Sequence, residues 1–153
     1  MNLAITALIV LHVLSAVIWV GGMVFAYTFL RPSVDEMEPA QKLSLLAAIF
    51  RRFFLWVWHA VVILPATGYA MMFMLYGGFK GAGVNLHLMQ GLGWVMIALF
   101  VFMFFGPYPP FRKAVAETNW PEAASHLPRI RRIIAINLVL GLITVAVGAA
   151  GRF

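Results

Sequence analysis

The chain contains no cysteine. That excludes disulfides, thiolate metal sites, iron–sulfur clusters and covalently attached c-type haem. It also excludes lipid attachment through a thiol. Metal chemistry, if present, falls to His, Met or oxygen. Charge is nearly as scarce: Asp and Glu number 5, Lys and Arg 11, and together they make up 10% of the residues. A soluble domain carries about a quarter. No nucleophile–base arrangement, carboxylate pair or phosphate-binding loop is present, so hydrolytic and transfer chemistry have no support. What fills the chain instead is apolar, at 63% of its residues. This is the composition of an integral membrane protein.

Four stretches reach the roughly 20 apolar residues that a helix needs to cross a bilayer core: about 3–30, 53–76, 86–106 and 133–150. The expected fold is therefore all-α, one four-span membrane domain over 1–153. The first stretch lacks a basic n-region and is too long for a signal peptide, so it reads as a retained helix. The net charge of +6 is distributed by side. Arg31, Lys42, Arg51 and Arg52 lie between spans one and two, and Arg112, Lys113, Arg129, Arg131 and Arg132 between or just before spans three and four. Only Lys80 and Arg152 fall on the other side. By the positive-inside rule both termini face outward from a bacterial inner membrane. The basic excess is a topology signal with attraction to anionic lipid, not a nucleic-acid site.

Arg31-Pro32 ends span one, and Gly106-Pro107-Tyr108-Pro109-Pro110 ends span three. Gln41 to Arg52 reads as an amphipathic lead-in lying at the interface before span two. Pro65 predicts a kink in that span. The segment 111–132 reads as partly helical around Arg112 to Thr118, with Trp120 as an interfacial anchor and Pro128 preceding span four.

One pattern occurs twice. His12 is followed by Ala16 and Trp19, and His87 by Gly91 and Trp94, at the same offsets of four and seven. On a helix these offsets share one face. Arg51-Arg52 and Arg131-Arg132 likewise lead into spans two and four, with Gly68 and Gly148 each sixteen residues after the second Arg. The echo predicts two parallel helical hairpins with a special site where they meet.

Inside the spans, histidines are the rare ionisable groups and mark candidate sites. At 1.5 Å per residue, His12 stands about 28 Å above Arg31 and His87 about 30 Å above Pro107, at one depth near the outer face. His59 stands only about 10 Å above Arg52. Two level histidines in a helical bundle suit a bis-imidazole haem b. Ser15, Ala16, Gly21, Gly22, Gly91 and Gly93 would give the macrocycle room, Trp19 and Trp94 its walls, and Lys80 and Arg152 partners for its propionates. The expected role is redox, with quinol or a periplasmic donor as partner in addition to the lipid bilayer. As an enzyme it would be a haem-dependent oxidoreductase.

The rival cargo is copper. Met89, Met96 and Met103 repeat along span three, Met71, Met72 and Met74 cluster at the outer end of span two, and Met23 faces them from span one. Thioethers and imidazoles suit Cu(I), although a methionine stripe also fills cores. His59 and Met89 are alternative ligands. His59 otherwise pairs with Asn137, and His126 is solvated.

Leu11-His12 with Trp19-Val-Gly-Gly-Met23, Arg31-Pro32, the Arg-Phe start and Thr67-Gly68 of span two, and Asn137 with Gly148-Ala-Ala-Gly-Arg152 resemble the copper-resistance protein D domain family over nearly the whole chain. That resemblance implies copper movement across the inner membrane. The first-span His and Trp, the Leu86-His87 pair and the Arg-Arg entry to span two are similar, more distantly, to the HemJ-type protoporphyrinogen oxidases. This second resemblance implies haem b binding.

Overall fold

The computed structural model describes residues 2–151. It has four helices long and apolar enough to cross a membrane, Leu3–Val34, Pro39–Tyr76, Val84–Ala116 and Trp120–Ala150. No strand occurs among the described residues. Within the third, Gly106 breaks the helix, leaving Val84–Phe105 as the span and Tyr108–Ala116 as a short helix behind it.

Local chemistry sets the ends. The Asn2 side chain accepts the Ala4 N–H at 3.1 Å and caps the first span. Gly77, at φ +68°, closes the second span in the left-handed conformation that glycine adopts without cost. Asn119 caps the fourth helix through the Glu122 N–H at 3.3 Å.

Three expected boundaries move. The lead-in before span two is not a separate interfacial helix; Pro39–Tyr76 is continuous, because nothing between Gln41 and Arg52 breaks a helix. Pro65 and Pro128 both lie inside unbroken helices, so the helix that carries span four begins before Pro128, at Trp120. The short helix begins at Tyr108, since proline fits the first turn, where no N–H is needed.

The first span is irregular. π-helical turns at Val17–Gly21 and Ala26–Leu30 flank a short α segment, Gly22–Phe25. Spans one and two pack along each other, as do spans three and four, giving the two expected hairpins. They join where Gly22–Phe25 meets the fourth helix and where the second span meets the third and fourth.

The core is aromatic. Phe54 stacks on Phe50 at 5.4 Å and receives Tyr108 and Phe100 edge-on at 4.8 and 5.7 Å. Phe111 of the short helix and Ala123 and Ile130 of the fourth helix are fully enclosed. The surface around the spans is apolar, with Leu3, Leu55, Val62 and Phe105 each more than half exposed. Such a surface requires lipid.

Candidate functional site

His12 lies half-buried in the first span, its Nδ1 2.8 Å from the Thr67 hydroxyl of the second. That hydroxyl also sits 2.6 Å from the Ile63 carbonyl and 3.3 Å from that of Leu64. A threonine has one proton, and a carbonyl can only accept, so the hydroxyl donates to Ile63 and must accept from His12. The imidazole is therefore protonated on Nδ1, and Nε2 carries a lone pair. A metal-ligating histidine is prepared in the same way, by a partner on its other nitrogen. Gly68 lets the ring lie close: a Cβ there would stand 3.4 Å from His12 Cε1.

The second copy of the pattern faces elsewhere. His87 and Gly91 are exposed, and Trp94 is 50% exposed. The Trp94 indole N–H donates to the Tyr69 hydroxyl at 3.0 Å, and the Gln90 amide donates to the same oxygen. Trp19, by contrast, is 3% exposed and meets Phe100 edge-on at 6.2 Å.

The remaining residues expected around a haem are not drawn into one slot. Ser15 is buried and Ala16 half-buried, but a Cβ on Gly22 would strike the Phe53 ring at 2.3 Å, so that space is already filled. Gly21, Gly91 and Gly93 face open space. Lys80 is exposed in the turn Phe79–Gly81, and Arg152 lies outside the described residues. The helix of His12 packs along the second span and that of His87 along the fourth. As arranged, these side chains do not fit a haem.

Two expectations for the remaining histidines are corrected. His59 is exposed and donates from Nδ1 to its own helix at the Leu55 carbonyl, 2.8 Å away, and does not meet Asn137. His126 is not simply solvated, since its Nε2 lies 2.9 Å from a Glu122 carboxylate oxygen one turn back.

The methionines converge better. Met23, Met96 and Met103 are each at most 3% exposed. Methyl groups of Met96 and Met23 close over Gly141, and Met89 lies over Gly148. The Thr144 hydroxyl donates to the Leu140 carbonyl at 2.8 Å and lies 3.8 Å from the Met96 sulfur. Asn137, 3% exposed, donates through Nδ2 to the Met96 carbonyl at 3.1 Å, while its Oδ1 has no hydrogen-bond partner among the described residues. Such an oxygen costs about 1–3 kcal/mol. Met23, Met103, Trp19 and Asn137 share the lining of a cavity of about 10 Å³. The outer methionines are dispersed: Met72 is buried, Met71 half-buried and Met74 exposed.

At the arginine-rich end, Asp35 bonds the Lys42 ammonium at 2.6 Å and stands 3.8 Å from Arg131. The Lys42 hydrogen bond holds its carboxyl below the usual range, assisted by the charges of Lys42, Arg131 and Arg31. Sequence reasoning missed the roles of Thr67, Tyr69 and Gln90. The only signal for Thr67 was a hydroxyl inside an apolar span, which must find a partner.

Residues 47–150 match the family described as Copper resistance protein D. No curated protein and no solved structure shows a significant match to the chain.

Proposed function

The chain belongs to the copper resistance protein D family, and from that premise we propose that it binds copper(I) within the bilayer and passes it along the bundle. The carrying observation is His12: its Nδ1 proton is committed to Thr67, so Nε2 is presented as a neutral, borderline-soft ligand. Thioethers of Met71 and Met72 lie on the same helix as Thr67, one turn beyond it. Ligand exchange between imidazole and thioethers moves a monovalent ion without creating or consuming protein charge. The protein has no cysteine and, among the described residues, no cluster of three or more His, Asp and Glu side chains able to hold a metal. That ligand set favours Cu(I) over harder divalent ions. With the basic loops inside, the His12 end opens to the periplasm of a bacterial inner membrane.

The test is uptake of Cu(I), kept reduced, into proteoliposomes. His12→Ala and Thr67→Val should lower it, with Thr67→Val acting through the orientation of the ring. Unchanged uptake in both variants would refute the assignment. An absorption spectrum addresses the haem expectation directly. A Soret band in wild type, lost in both His12→Ala and His87→Ala, would replace copper by a bis-His haem b and an electron-transfer role.

A further inference from the structure

We propose that Asn137 Oδ1, Met23 and Met103 form a binding site for one copper(I) ion in the middle of the bundle. This inference deepens the copper reading above and rests on it. The side chains come from three spans, one, three and four, and share one cavity with Trp19.

The orientation of the amide is determined by its neighbour. Nδ2 faces the Met96 carbonyl at 3.1 Å; exchanging the two amide atoms would set oxygen against oxygen. Oδ1 is therefore turned away from Met96, in a residue 3% exposed and without a partner for that oxygen among the described residues. A cation or a water molecule is what such an oxygen accepts. The cavity, about 10 Å³, is near the lower limit for a single water, so an ion entering it must shed its hydration shell.

The lining then selects among ions. It contains no carboxylate, and burying an ion in a medium of low polarity costs more as the square of its charge, so a divalent ion is disfavoured. Among monovalent ions, two thioethers prefer the soft one. Trp19 lines the same cavity, and an indole there adds attraction for a desolvated cation where its face meets the ion. The backbone around Met23 is also unusual. It lies in the α segment between the two π-helical turns, and such turns gather at functional sites because they re-aim a few side chains.

The experiment titrates purified protein in detergent with Cu(I) under ascorbate, against a chromophoric Cu(I) chelator, and records X-ray absorption at the copper edge. Met23→Leu and Met103→Leu preserve volume and fold, and Asn137→Leu removes the oxygen. The expected result is sulfur scattering in wild type that falls in both methionine variants, with Cu(I) affinity more than about ten-fold weaker in each of the three. Zn(II) should not compete. If all three variants bind as wild type while His12→Ala loses binding, the copper function stands and the interior site is refuted, the cavity holding water only. If wild type retains no Cu(I), both proposals fall together.

Discussion

His12 and His87 begin the same pattern, yet the two copies face opposite surroundings. In the first, Ser15 and Trp19 are buried and the imidazole is tied to Thr67. In the second, His87 and Gly91 are exposed and Trp94 is half-exposed, its indole used to tie the third span to Tyr69 of the second. Spacing determines which residues share a helix face; it does not determine which way the face turns. The neighbour decides that. The first copy looks onto a helix offering a hydroxyl and a glycine, whereas the third span meets the fourth through Met89 at Gly148 and Met96 at Gly141.

The largest expected difference is between the tryptophans. Trp19→Ala should cost about 3–5 kcal/mol, the range for removing a buried aromatic. Trp94→Ala should cost about 1 kcal/mol, mainly its hydrogen bond. Thermal unfolding in detergent measures both, and equal losses would break the contrast. Next come the histidines: His12→Ala should remove the Cu(I) held at the imidazole while the interior site still binds, Thr67→Val should weaken the imidazole site by about 10–100-fold, and His87→Ala should leave both unchanged. A chelator titration that finds His87→Ala as damaging as His12→Ala would restore the two-histidine site.

A smaller effect separates the glycines. Gly22→Ala forces the Phe53 ring aside and should destabilise by about 1 kcal/mol. Gly91→Ala meets nothing and should stabilise by about 0.5–1 kcal/mol through helix propensity. Opposite signs in one unfolding assay sharpen the comparison; like signs weaken it.

The smallest effect lies at the arginine-rich end. The Asp35 carboxyl is held below its ordinary value by Lys42, so its contribution is complete above the unfolded carboxylate pKa of about 4 and fades as pH falls through the depressed folded value. Asp35→Asn should therefore lower thermal stability slightly at neutral pH, where the carboxylate contribution is complete, and flatten part of the acid-side loss.

Much of the fold was legible because membrane helices announce themselves by length and by the breaks between them. The break at Gly106-Pro107 falls where the sequence places it, and the first helix passes through Arg31-Pro32 but ends soon after, at Val34. The helix extensions were not legible. Hydropathy reports where the bilayer ends, and the helices of Gln41 to Arg52 and Trp120 to Arg132 continue beyond that limit. The facing of each span was also hidden, because a helix apolar all round carries no stripe to mark its inner side. Hence His12 and Asn137 stood out as polar atoms in apolar helices, but their partners did not. Asn137 was matched by depth to His59, whereas it bonds a backbone carbonyl that no side-chain pattern encodes.

The π-helical turn at Val17–Gly21 has a consequence for the length of the first span. It holds one residue more than a regular turn would. Deleting a single residue between that turn and His12, where the helix is regular and no bulge takes up the change, would swing everything toward the N-terminus by about 100°, carrying His12 away from Thr67 while leaving the stretch long enough to cross a bilayer. The residue count between His12 and Met23 is thus set by azimuth, a gauge that keeps the imidazole and the thioether pointed into the same protein while the lipid sets only the overall span.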